Sequence, residues 1–169
     1  DSRPVSEDLR RMLMELAALT DKLTVEWTPP SDGPERPCVR VLRADGTDTG
    51  IAFHGVPGGH EFNSFVVGLY NAAGPGQSID PALAEAIAAI DRPLDLQIVV
   101  ALSCTMCPEL VIAAQKIAAS NPLVTAKVYD VNHFPELRER YKIMSVPCLI
   151  INKAKVAFGK KTLGQLLEL

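Results

Sequence analysis

The stretch Asp95-Leu96-Gln97-Ile98-Val99-Val100-Ala101-Leu102-Ser103-Cys104-Thr105-Met106-Cys107-Pro108 decides how the rest of the chain is read. Its first eight residues are a short β-rich run, dense enough for a buried parallel strand. From Glu109 the period changes. Leu110, Val111, Ala114, Ile117 and Ala118 recur at three- and four-residue steps, which predicts a helix. Pro108 suits the first turn of that helix, where its missing N–H costs nothing. A Cys-x-x-Cys pair therefore sits where a strand passes into a helix.

Toward the C-terminus, Asn121-Pro122 ends the helix and Leu123 to Tyr129 reads as a second strand. A short amphipathic helix follows, from about Phe134 to Tyr141. After Met144-Ser145-Val146-Pro147, Leu149 to Asn152 and Val156 to Phe158 read as a hairpin. Gly159 and a final helix from about Thr162 complete an order of β–α–β–α–β–β–α. That order, with the cysteine pair at its first strand-to-helix junction, predicts a thioredoxin fold within the α/β class.

The N-terminal half repeats part of the plan. Leu9, Leu13, Leu16 and Leu19 make a helix stripe, and Lys22 to Trp27 reads as a strand. A loop leads to Arg36-Pro37-Cys38-Val39-Arg40-Val41-Leu42, which matches Val146-Pro147-Cys148-Leu149-Ile150-Ile151: both place Pro-Cys ahead of a β run. A second hairpin arm ends near Phe53, and Glu61 to Tyr70 is a helix in the position of the last one. Two fused thioredoxin-like (glutaredoxin-like) modules are expected, residues 1–75 and 82–169, joined near Gly74 to Pro81. Cys104 lies 43 residues before Pro147, and the same step back from Pro37 passes the first residue. The first module thus lacks its opening strand and any counterpart of the cysteine pair. Truncation of a longer protein is the expected reason, because a module without its central strand would leave apolar surface bare.

Composition narrows the function classes. Of 169 residues, 47% are hydrophobic and 22% charged, which fits a globular chain and excludes wholesale disorder. A net charge of -3 offers no electrostatic footprint for nucleic acid or an anionic membrane. No apolar run approaches the roughly 18 to 20 residues that span a bilayer. Asp1-Ser2-Arg3-Pro4 has no signal-peptide core. Four cysteines in a chain of this length do not make a disulfide framework.

The chemistry centres on the spaced pair. A dithiol that exchanges with other disulfides needs one sulfur to attack and a second near enough to expel the partner. The start of a helix supplies that spacing, and its unpaired N–H groups and partial positive charge stabilise a thiolate. Cys104, at the mouth of the helix, is the expected attacker and Cys107 the resolver. Half of a zinc site is the competing reading of Cys-x-x-Cys. Cys38 and Cys148 are scattered, however, and His54, His60 and His133 have no finger-like spacing. Val146-Pro147 adds weight to the redox reading, because a proline opening a strand opposite such a pair is where this fold uses a cis peptide bond. Taken alone, Pro147 would read as an ordinary strand-start proline. Cys148 is either a third thiol near the site or core, with core favoured.

Gly58-Gly59-His60-Glu61-Phe62, Ser103-Cys104-Thr105-Met106-Cys107-Pro108 and Ser145-Val146-Pro147 closely resemble the N-terminal domain of the flavoprotein subunit of alkyl hydroperoxide reductase. The helix Glu7 to Leu19 with Thr20-Asp21-Lys22, and the end Gly159 to Leu169, are similar too, so the likeness covers nearly the whole chain. The resemblance implies two fused thioredoxin-like modules with one active pair. It implies electrons accepted from a following FAD- and NADH-dependent, thioredoxin-reductase-like portion, in cis or separate, and passed to a disulfide in a peroxiredoxin partner. It also implies that Glu61 sits by the pair and assists its proton transfers, although from the residues alone Glu61 reads as a solvated carboxylate at a helix start. Departures are Cys38 and Cys148, where that family carries other small residues.

No Gly-x-Gly-x-x-Gly follows a strand, and Gly55-Val56-Pro57-Gly58-Gly59 lacks that spacing, so no cofactor is expected on this chain itself. The leading expectation is a protein disulfide oxidoreductase with catalytic Cys104, Cys107, Glu61 and Pro147, without metal, nucleic acid or membrane partners. A cytoplasmic location follows from the missing signal and the need for NADH. The competing expectations are a general glutaredoxin-like disulfide reductase and a redox-inactive thioredoxin-fold binding module.

Overall fold

A computed structural model describes residues 2–29 and 33–169; Asp1 and the middle of the loop after Trp27 lie outside them. Among the described residues, six strands and six helices follow in the order α1 (Pro4–Ala18), β1 (Cys38–Leu42), β2 (Asp48–His54), α2 (Glu61–Ala73), α3 (Pro81–Ala88), β3 (Leu94–Val100), α4 (Cys107–Ser120), β4 (Val124–Asp130), α5 (Pro135–Arg140), β5 (Cys148–Ile151), β6 (Lys155–Phe158) and α6 (Leu163–Leu167). The strands form one sheet in the order β1-β2-β4-β3-β5-β6.

The second half builds the thioredoxin-like unit that its element order predicts. β3 runs parallel to β4 from Leu94 opposite Val124 to Val100 opposite Asp130. It also pairs antiparallel with β5, Val99 facing Cys148, and β5 turns back into β6. Burial explains the unbroken apolar character of β3: Ile98, Val99 and Val100 have no exposed surface, as expected for a strand covered on both faces. α4 lies over the sheet through Leu110, Val111, Ala114 and Ile117, each at most 1% exposed. α6 opens on a capping box. The Thr162 side chain accepts from Gln165 N–H, and the Gln165 side chain accepts from Thr162 N–H.

Among the described residues the first half contributes α1, β1, β2 and α2. β2 runs parallel to β4, Ile51 opposite Ala126 and His54 opposite Tyr129, so the two halves share one sheet. The apolar core is correspondingly continuous, with Phe53 and Phe65 in the same cluster as Ile98 and Leu149. α2 packs directly on α4.

One expectation needs correction. Lys22–Trp27 joins no ladder among the described residues. Leu23 and Val25 are half-buried and their neighbours exposed, but alternation makes a strand only where a partner completes its hydrogen bonds. Trp27 instead lies under the guanidinium of Arg10, 4.7 Å from its centroid. Beyond Gly74 the chain enters α3. There Asp80 caps the helix by accepting from Ala82 N–H, with Pro81 in the first turn.

Candidate active site

The strand directions bring the candidate residues to one end of the sheet. β3 ends there and leads into the pair, and β5, being antiparallel to β3, begins there at Cys148. β2, parallel to β4 and so to β3, ends there as well, and from it the chain passes to Glu61 at the start of α2. Convergence of α/β loops at the carboxyl ends of strands is the general placement of such sites.

Cys104 and Cys107 form a disulfide with their Cα atoms 5.6 Å apart. Cys104 N–H donates to Ala101 O at 2.9 Å, a turn that lifts the residue off the end of β3. Met106 is the N-cap of α4 and Cys107 its first residue, so the helix begins two residues earlier than the apolar period suggests. The two sulfurs differ in access. Cys107 is fully buried, whereas Cys104 is partly exposed beside the exposed Thr105 and Met106. Cys104 is therefore the sulfur open to solvent, and Cys107 the one shielded from it. The free N–H groups and dipole at the start of α4 favour negative charge on the sulfur released there.

Opposite the pair, the Val146–Pro147 bond is cis, the form expected from the sequence. Cys104 Sγ lies 4.0 Å from the carbonyl oxygen of Val146, and Pro147 O accepts from Gly159 N–H at 2.9 Å. Cys148, next in sequence, is fully buried with Val99, Ile143 and Ile150. Burial pushes its thiol up to about 11, so it is a core residue and not a third thiol. Cys38 begins β1, at the far edge of the sheet from β5 with three strands between them, roughly 19 Å away. It takes no part in this site.

Glu61 is placed by backbone contacts to the loop that carries Cys104. His60 N–H donates to Leu102 O at 3.0 Å. Gly59 has φ +54°, and a Cβ there would stand 2.5 Å from that same oxygen, so only glycine allows the approach. These contacts hold the start of α2 against the segment two residues before Cys104. Glu61 has no exposed surface, contrary to its reading as a solvated helix-start residue. Burial raises its carboxyl to about 7, opposed in part by a hydrogen bond from Ser64 Oγ to Oε2. Its other oxygen, Oε1, has no partner among the described residues. The candidates from sequence do not include Ser64, although its place one helical turn after Glu61 is a legible signal.

A partly accessible sulfur bonded to a buried one at a helix start, facing a cis-proline, defines a dithiol–disulfide oxidoreductase of thioredoxin fold. A thioredoxin domain family model matches residues 94–169. Over 99% of its length the chain superposes on the alkyl hydroperoxide reductase protein AhpF of Enterococcus faecalis, with a TM-score of 0.93 and 39% identity, covering 84% of that structure. It is 32% identical to the corresponding alkyl hydroperoxide reductase protein of Pseudomonas aeruginosa over 97% of this chain and 30% of that protein. It is also 32% identical to a protein named NADH dehydrogenase from Ferdinandcohnia aciditolerans, over 96% of this chain and 31% of that protein. The chain thus spans about a third of these sequence relatives. A protein disulfide oxidoreductase from Aeropyrum pernix shares the fold, with a TM-score of 0.70 at 23% identity. The chain belongs to the family of the N-terminal domain of the alkyl hydroperoxide reductase protein AhpF.

Proposed function

We propose that this chain is the electron-carrying part of a peroxide-reducing system. It takes two electrons from an FAD- and NADH-dependent, thioredoxin-reductase-like portion, in cis or separate, and passes them to the disulfide of a peroxiredoxin. The observation that carries this reading is the unequal access of the two sulfurs beside Pro147, with the carboxyl of Glu61 buried at the same end of the sheet. In this reading residues 1–75 serve residues 82–169 by supplying Glu61.

The transfer runs as thiol–disulfide exchange. A donor thiolate attacks Cys104 Sγ, the Cys104–Cys107 bond breaks, and Cys107 leaves as a thiolate that takes a proton from the carboxyl of Glu61. A second donor thiolate attacks the donor sulfur of the mixed disulfide and releases Cys104, so two donor thiols become one disulfide. In the second half-cycle Cys104 attacks the peroxiredoxin disulfide. Glu61 takes back the proton of Cys107, whose thiolate then closes the pair and frees two peroxiredoxin thiols. Pro147 keeps the approach to Cys104 open, since it has no N–H of its own. The residues of this chain hold neither flavin nor nicotinamide in this reading, and no step here runs through them. The need for NADH places the system in the cytoplasm; no described helix is long and apolar enough to cross a membrane.

The test uses the reduced chain freed of reductant and mixed with a disulfide-form peroxiredoxin. About two thiols per chain should be delivered, and none by Cys104→Ser. Delivery to many unrelated disulfides at equal rates would favour a general glutaredoxin-like reductase. An unreactive Cys104 would leave only a binding module.

A further inference from the structure

Three of the four buried side-chain atoms without a hydrogen-bond partner among the described residues lie where α2 packs on α4: Glu61 Oε1, Gln115 Nε2 and Gln115 Oε1. They share a line. On α2 the positions 61, 64, 68 and 71 recur at three- and four-residue steps and so lie on one face, and they are Glu61, Ser64, Gly68 and Asn71, all buried. From α4, Gln115 reaches that face at Gly68. A Cβ on Gly68 would stand 2.6 Å from Gln115 Oε1 and 3.0 Å from Gln115 Cδ, so the glycine makes room for the amide. Gly68 is one helical turn beyond Ser64, whose hydroxyl lies against the backbone oxygen of Glu61 at 2.9 Å and against its Oε2. The positions one turn before and after Gln115 on its side of α4, Val111 and Ala118, are apolar and buried.

A fully buried amide with neither atom paired is costly in an apolar contact, and Leu at 115 would match the helix pattern without that cost. The polarity at this position points to function. We propose that Glu61, Ser64 and Gln115 form one polar seam, in which Ser64 and Gln115 are positioning residues that set the proton affinity of Glu61. This rests on the reading of Glu61 as the proton-exchanging group of the pair. Ser64 fixes Oε2 and leaves Oε1 for exchange, and the Gln115 amide keeps the interface polar enough for the carboxylate form to exist there. Burial and the Ser64 hydroxyl are the influences on the Glu61 carboxyl, with no charged group among the described residues acting on it; Cys104 and Cys107, joined in the disulfide, do not titrate in the form tested. Glu109, in the first turn of α4, is turned to Lys160 at 3.4 Å.

The experiment is a titration of the Glu61 carboxyl in the disulfide form, followed by carbon NMR of the glutamate-labelled chain, with Glu61→Gln assigning the resonance. Ser64→Ala should move the midpoint up by about one pH unit, as expected for loss of a hydrogen bond to a charged group. Gln115→Leu should move it up as well, while Gln115→Asn moves it less. A midpoint unchanged in a folded Gln115→Leu chain overturns the seam, as does a shift no smaller in Gln115→Asn. If Gln115→Leu does not fold, Gln115→Met takes its place under the same criterion. The titration involves no electron transfer and no partner. Failure of thiol delivery to a peroxiredoxin therefore counts against the carrier reading, and an unmoved midpoint counts against the seam.

Discussion

Arg36-Pro37-Cys38 and Val146-Pro147-Cys148 are the same backbone device built twice. Both prolines follow cis bonds. In each case the proline carbonyl accepts an N–H at 2.9 Å from a glycine of positive φ that ends the adjoining strand, Gly55 for Pro37 and Gly159 for Pro147. In each case the cysteine opens a strand, Cys38 opposite His54 and Cys148 opposite Phe158. The surroundings differ. Pro147 faces a partly exposed sulfur at a helix start, whereas by Pro37 the buried ring of His54 is stacked on Tyr129 at 4.0 Å, its Nδ1 2.6 Å from Glu35 O. A cis-proline turn is therefore a scaffold, and reactivity comes from what is placed opposite it.

The largest effect should come from removing what only the second copy has. Cys104→Ser should reduce thiol delivery to background, while Cys107→Ser should accumulate a mixed disulfide with the peroxiredoxin, visible on a non-reducing gel. Cys38→Ser should leave the delivery rate within about twofold, as for a half-buried residue away from the site. A collapse of rate with Cys38→Ser would show that the first copy is reactive after all, and the comparison would break.

Next comes the link by which the first half reaches the second. Gly59→Ala places a Cβ against Leu102 O in a left-handed conformation, which should cost about 2–3 kcal/mol in denaturant unfolding. It should slow thiol delivery too, because the same loop positions Cys104. A stability loss with an unchanged rate would separate the two halves functionally.

Glu61→Gln gives an effect of similar size that depends on pH. The folded carboxyl holds its proton to about pH 7, against an ordinary value of 4.5, so the folded chain binds more protons than the unfolded one between those values. Stability is then greatest below about pH 4.5 and falls as pH rises through 7. The variant should match wild type near pH 4 and be more stable by about 2–3 kcal/mol at pH 8, measured by urea unfolding at both values. Equal stability at pH 8 would mean that the carboxyl is hydrated.

The smallest change makes the first copy resemble the second. His54 lies opposite Cys38 as Phe158 lies opposite Cys148, and burial holds its imidazole below the ordinary 6.5. The unfolded chain then binds the extra proton, so His54 weakens the fold as pH falls below about 6.5. His54→Phe should leave stability at pH 8 within about 1 kcal/mol and lessen the acid sensitivity of the melting temperature between pH 7 and 5. An unchanged acid dependence would show that His54 is protonated in the fold.

Much of this was legible in the residues because it depends on local chemistry. The apolar run into Cys-x-x-Cys-Pro specifies a buried strand meeting a helix, and the repeated Pro-Cys before a β run exposes the duplication. Asp80-Pro81 also carries a helix-start signature, yet the Ala-rich stretch behind it lacks the strong polar face that would make α3 evident. Lys22–Trp27 shows the opposite failure: its alternation reads as a strand, but no partner completes it. By itself, then, the sequence determined the class of fold, the reactive pair and the proline facing it, since spacing and backbone chemistry suffice for those. Only the tertiary structure decided that β2 joins β4 to merge the two halves into one sheet, that Cys107 is buried while Cys104 is partly exposed, and that Glu61 is buried beside Ser64. Those outcomes depend on which surfaces exclude water, a property of packed elements that no single segment carries.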